Sequence, residues 1–183
     1  MDIVYETLPL TLYLVGVALG LAVLVAVPLG VIAALRPGSI VDRLTVFLSL
    51  LGLSIPQFWL GLLLIMLFAV SLGWFDHAGN FRADSIVLPA VTLALPALTR
   101  LVMVVRSQMI DELNAQYVKT SRAKGMPFLR IVGLHAMRNA AVPVLTLIAW
   151  EFIRALAGYT VVVEKVFAWP GLGLAAIQAI ERQ

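Results

Sequence analysis

Cysteine is absent from the chain, which removes disulfides, thiolate metal ligands and thiol nucleophiles together and leaves the redox compartment unread. Histidine is nearly absent: His77 and His135 lie far apart with no ligand-spaced partner, so no metal site is expected. Charge is scarce as well. It makes up 13% of 183 residues, against 62% hydrophobic side chains, a balance that excludes a soluble globular domain. Neither GxxxxGK[ST] nor HExxH occurs, so there is no phosphate loop to hold ATP and no zinc-protease helix. Catalytic residues, a cofactor and a nucleic-acid partner are likewise not expected. Met1 to Thr7 lack the basic n-region of a secretory signal, and the apolar stretch that follows is too long for an h-region, so it reads as a span.

What is present is apolar and of membrane-crossing length. Leu8 to Leu35 is 28 residues without a charge, well past the ~20 that cross a bilayer as helix. Further spans are expected over 44–73, over 86–105 with Arg100 inside it, and over 140–163 with Glu151 and Arg154 inside it. No stretch alternates with period two as a barrel strand would. The expected fold class is all-α: a polytopic helical membrane protein, one transmembrane domain over 1–183 with four spans in the lipid bilayer.

Orientation follows from the bases, because short loops rich in Lys and Arg stay cytoplasmic. Arg36 and Arg43 flank the first loop; Arg100 and Arg106 lead to the loop that holds Lys119, Arg122, Lys124, Arg130 and Arg138, which places nine of the 13 bases on one side. The loop from Trp74 to Ser85 has Arg82 alone, and Lys165 and Arg182 lie in the tail. The loop 106–139 is therefore expected in the cytoplasm, with both ends of the chain and the segment 164–183 on the external face. Asp76 and His77 form an external pair without a third ligand and read as solvated.

The cytoplasmic loop has a grammar that topology alone does not need. "DELNAQYVKTSRAKG" holds good helix formers and then Gly125, which most cheaply takes the left-handed turn that ends a helix; Pro127 suits the start of the next one. Small residues Thr120, Ser121 and Ala123 would let a short helix seat closely in a groove, and Lys119, Arg122 and Lys124 would orient it on an acidic or polar surface. Within the spans, Glu151 and Arg154 are three apart and share a helical face, where they neutralise each other, pair with a neighbouring subunit or line a path. Arg100 is expected to snorkel toward the cytoplasmic headgroups. Gln57 and Trp59 follow Pro56, where a kink is expected. Trp169 and Pro170, with Gly171 and Gly173, read as an interfacial anchor and turn.

"YVKTSRAKG" followed by "HAMRNAAVPVLT" resembles the coupling loop of bacterial ABC importer permeases of the oligopeptide/dipeptide branch. "LGLSIPQFWLG", "LPAVTLALP" and "VVVEKVFAWPGLG" are similar to segments of that family in the same order, so the resemblance covers nearly the whole chain. The broader superfamily's EAA-x3-G pattern falls on Lys119, Thr120, Ser121 and Gly125, with the Glu-Ala-Ala itself absent, as is common in the peptide branch. Family members typically have six spans, so the chain reads as such a permease without its first and last helices.

The resemblance implies a non-enzymatic permease subunit of a bacterial inner-membrane importer for peptides. Its implied partners are an external solute-binding protein, a second permease subunit and two cytoplasmic ATPase subunits. Tyr117, Lys119, Thr120, Ser121, Arg122, Ala123, Lys124 and Gly125 would dock the ATPase, while Gln57, Glu151 and Arg154 are the candidates for the translocation path, where the charges would meet a zwitterionic peptide. Nickel, glutathione-like and glycoside importers share this permease style, so cargo stays open here. "FAWPGLG" would lie near the delivery site of the binding protein. A membrane-embedded enzyme is the alternative, but it would need an acid/base pair at membrane depth, and the only such carboxylate, Glu151, is followed by Arg154. A secondary transporter would show inverted repeats, which are not apparent.

Single cysteines at Lys124 and Asn80 are expected to label from opposite faces of sealed cells, Asn80 from outside. Labelling of Lys124→Cys by an impermeant reagent in intact cells would reverse the orientation.

Overall fold

The computed structural model describes residues 2–75 and 85–181, and the regular structure among them is helical throughout. Asp76, His77, Asn80, Arg82 and Arg182 lie outside the described residues. The long helices are α1 (Asp2–Leu35), α4 (Val87–Asn114) and a helical run over 128–166 that kinks at Gly158, where φ 170° and ψ −26° leave the helical region. At 1.5 Å per residue, α1 is about 51 Å long and α4 about 42 Å, so each exceeds a ~30 Å hydrocarbon core. The third expected span, 86–105, thus continues as helix to Asn114.

α1 and α4 form the most extensive helix pair. Along α1 the residues Ala18, Ala22, Ala26, Gly30 and Ala34 recur every fourth position, and all are buried. Without the hydrophobic effect to press helices together inside lipid, such small residues allow backbones to approach until dispersion holds them. The approach is tightest at Gly30, where a Cβ would stand 2.7 Å from the Cβ of Val105 and 2.9 Å from the carbonyl oxygen of Val102. Leu101, Val102, Val105 and Met109 fill the α4 side.

The expected span 44–73 is two helices. α2 (Ile40–Ser54) and α3 (Gln57–Leu64), which continues as π-helix over Ile65–Ser71, meet at 98°. Pro56 brings no N–H to the ladder and forces Ile55 out of the helical region, to φ −81° and ψ 121°, so the expected simple kink is corrected to a right-angle break. Both arms lie against α4: at Gly52 a Cβ would meet Thr99 Cγ2 at 2.6 Å, and Gly61 stands beside Thr92.

α2 starts on a built cap. Ser39 Oγ accepts from the Asp42 N–H at 3.3 Å, and Asp42 accepts from the Gly38 N–H at 2.7 Å and from Arg106 Nη2 at 2.8 Å. Arg106, read above only as a topology charge, therefore clamps the first loop to α4.

After α4, Ala115 turns extended and α5 (Gln116–Ala123) begins. α6 (Phe128–Arg130) passes through π-helical Ile131–Ala136 into α7 (Met137–Arg154), then through π-helical Ala155–Tyr159 into α8 (Thr160–Val166). The last described element is α9 (Leu172–Glu181). The expected fourth span, 140–163, thus lies within a longer helical run and contains the kink at Gly158.

Gly30→Leu is expected to insert normally but to wedge α1 from α4, lowering stability by about 1–3 kcal/mol. Gly20→Leu is the control, because nothing lies within 4 Å of a Cβ there. Equal thermal stability of the two variants in detergent would mean that the close approach is not what holds the pair.

Candidate functional site

The centre of the bundle holds an ion pair that local spacing does not reveal. Glu151, on the buried face of α7 with Ala140, Val144 and Ala155, is 2% exposed, and Arg100 of α4 donates to both of its oxygens, from Nε at 2.6 Å and from Nη2 at 2.7 Å. This corrects the expectation that Arg100 snorkels. A buried carboxylate that accepts both arms of the guanidinium fork holds it more firmly than distant headgroups would, and an ion this deep needs such a partner. It also revises the expected Glu151–Arg154 pair. Arg154 Nη1 is 3.6 Å from the same carboxylate, a looser contact, and its side chain is 40% exposed. The two guanidiniums stand over aromatic rings, Arg100 6.0 Å from the Tyr159 centroid and Arg154 5.7 Å from that of Trp150. Ala18, Leu93, Ala97 and Tyr159 line a narrow cavity beside the pair.

Gln57 is not brought to this cluster. It stands in the first turn of α3, with its Nε2 buried and without a hydrogen-bond partner.

A second buried acid escaped the sequence reading. Glu164 of α8 is fully buried and accepts from Thr11 Oγ1 of α1 at 2.7 Å and from the N–H groups of Gly173 at 2.7 Å and Leu174 at 3.1 Å. A carboxylate thus caps the N-terminus of α9, where orphan N–H groups and the helix dipole both favour an anion. Thr11 Oγ1 in turn accepts from the Leu172 N–H at 2.9 Å, and Trp169 Nε1 donates to the Leu10 carbonyl at 3.3 Å. Gly171 is obligatory here, since a Cβ would fall 2.1 Å from Glu164 Oε1. "WPGLG" is therefore a buried joint rather than a free interfacial turn: Trp169 is 8% exposed.

Helix α5 matches its expected grammar. Gly125 has φ +75°; its N–H donates to the Arg122 carbonyl at 2.9 Å, and the Met126 N–H donates to Ser121 at 3.2 Å, which closes the C-terminus of α5. Lys119, Thr120, Arg122, Ala123, Lys124 and Gly125 are exposed, Ser121 is half-buried, and Val118 is buried beneath them. Tyr117 differs from the rest of the set. Its hydroxyl donates to the Glu112 carboxylate, which also accepts from Asn139 Nδ2 at 3.1 Å, so it braces α5 against α4 and α7. Burial, and then that carboxylate, push its phenol above the usual range. Arg122 stands 5.6 Å from the Phe128 ring across the turn.

The family model described as "Binding-protein-dependent transport system inner membrane component" matches residues 26–183. The chain is 41% identical over 182 residues to the oligopeptide transport system permease protein AppB of Bacillus subtilis, an alignment covering 94% of this chain and 57% of that protein. It is 40% identical over 182 residues to the di/tripeptide transport system permease protein DppB of Pseudomonas aeruginosa, covering 84% and 54%. With the glutathione transport system permease protein GsiC of Escherichia coli the identity is 37% over 171 residues, covering 93% and 56%. The chain thus spans little more than half the length of these relatives. A chain of the MetNI methionine ABC transporter, solved in inward-facing conformations, shares the fold with TM-score 0.73 at 22% identity, over 97% of this chain and 80% of that one.

Glu151→Gln is expected to destabilise the protein by about 3 kcal/mol, because it leaves the part-buried Arg100 without its counter-charge. Adding Arg100→Gln should recover more of that loss than adding Arg154→Gln, as a double-mutant cycle on thermal unfolding would read out. Greater recovery with Arg154→Gln would contradict the pairing described here.

Proposed function

Because the chain belongs to the family of binding-protein-dependent transport system inner membrane components, we propose that it acts as a permease subunit of an ATP-driven importer for peptides. In this reading an external solute-binding protein delivers cargo, and a second permease subunit completes the path. Cytoplasmic ATPase subunits hydrolyse ATP, and this chain performs no chemistry of its own. The cargo class comes from the relatives, whose names specify oligopeptides and di/tripeptides.

The observation that carries the coupling role is α5. It is displaced from the spans by the cytoplasmic extension of α4, presents an exposed basic face, and is ended by a left-handed glycine that aims it. Such a helix fits a groove on the ATPase and passes the closure of that partner to the spans as a rigid-body movement. The brace from Tyr117 to Glu112, α4's carboxylate, supports this role, since it ties the docking helix to the span that holds Arg100. Alternating access would then follow from displacement of α4 and α7, with Gln57, Glu151 and Arg154 as candidates for the path.

Gly125→Val tests the docking helix. The substitution meets open space, so its cost is backbone strain alone, roughly 1–2 kcal/mol for an L-residue and more for a β-branched one. In the complete importer, insertion should persist while co-purification with the ATPase and substrate-stimulated ATP hydrolysis fall together. Gly125→Asn, which tolerates the left-handed region, should lose less, and Arg130→Ala, beyond the turn, should lose least. A valine variant that retains its ATPase and couples normally would remove residues 117–125 from the contact.

A further inference from the structure

The charges in the last turn of α7 do not balance. Two guanidiniums face one carboxylate, and Arg100 already engages both oxygens of Glu151. Arg154 is left with one contact at 3.6 Å, and its side chain is 40% exposed. It also leaves the buried face of its helix. Thr146, Trp150 and Arg154 recur every fourth residue along α7, and Thr146 and Trp150 are exposed beside apolar Ile153. A cation this far inside a span is costly against lipid, so the stripe that carries it belongs against water or a polar ligand. The guanidinium stands over the indole of Trp150, a contact that steadies it while its side chain stays 40% exposed.

We infer that Arg154, held over Trp150, is a carboxylate-recognising residue of the translocation path and takes the anionic end of the peptide cargo. The inference rests on the permease reading above and assigns the two charges of the expected Glu151–Arg154 pair different roles. Glu151 is neutralised within the bundle and does not attract the cargo ammonium. The excess positive charge falls on Arg154, whose planar fork matches a carboxylate in two parallel hydrogen bonds. Either the C-terminal carboxylate or an acidic side chain supplies that chemistry.

The test uses the complete importer in proteoliposomes with its own binding protein unchanged, so that any change in cargo preference belongs to the permease. Uptake is compared for trialanine, for trialanine amide, and for the same amide with a central glutamate. With Arg154→Gln, the ratio of trialanine to trialanine amide uptake should fall at least fivefold, and Arg154→Lys, which keeps the charge but not the planar fork, should give a ratio between that of Arg154→Gln and wild type. Recovery of wild-type uptake, relative to trialanine amide, by the glutamate-bearing amide assigns the side chain as the source; its absence assigns the C-terminus. An unchanged ratio in Arg154→Gln overturns the inference. So does loss of the second permease on purification that Arg154→Lys restores, since Arg154 would then be an intersubunit ion pair. Failure of the permease reading would look different: no ATP-dependent uptake of any of the three peptides by the wild type.

Discussion

Close approach of α1 and α4 is the contact on which the other packing depends. Inside lipid there is no hydrophobic gain from pressing two apolar helices together, so the association rests on atoms brought near enough for dispersion, and the alanine and glycine seam of α1 permits that. With α4 fixed this way, everything else is positioned from it. Both arms of the broken α2–α3 pair lie on it, Arg106 holds the first loop, Arg100 holds α7, and its far end carries α5. A side chain added at Gly30 would therefore displace more than its own neighbours.

The buried acids follow one rule. Asp42, Glu151 and Glu164 are each nearly inaccessible, and each is tied to a helix distant in sequence. Two are neutralised by arginines of α4. The third has no cation among the described residues and relies on a hydroxyl and two backbone N–H groups at a helix start, where the aligned peptide dipoles stand in for a positive charge. These bonds are directional, so each fixes the rotation and depth of a helix that van der Waals packing alone would leave free to slide.

Local features were legible in the sequence and distant ones were not. The helical class, the long apolar runs and the left-handed Gly125 all follow from spacing within a few residues, and the structure reproduces them. Pro56 announced a break but not its angle, because the missing N–H sets where the ladder fails while packing on α4 sets where the chain goes next. Arg100 and Glu151 lie 51 residues apart, and nothing in the neighbourhood of either names the other. Arg154, at three residues, was the partner a local rule would find. Glu164 sits in "VVVEKVF", where a single carboxylate near a span end reads as an interfacial charge; the signal available was the pair Gly171 and Gly173, small enough to admit a buried carboxylate. For α5 the sequence showed charge and punctuation, and the structure adds its exposure.

The bond from Thr11 to Glu164 also has a meaning in time. It joins residues 153 apart, and the same hydroxyl accepts from Leu172. At translation speeds of roughly 5–20 residues per second, α1 waits on the order of ten seconds or more in the membrane before its partners have been made. During that interval the helix can be inserted but cannot be locked near its N-terminal end. This joint therefore closes only after α9 has left the ribosome, and until then Thr11 lacks the carboxylate that holds it.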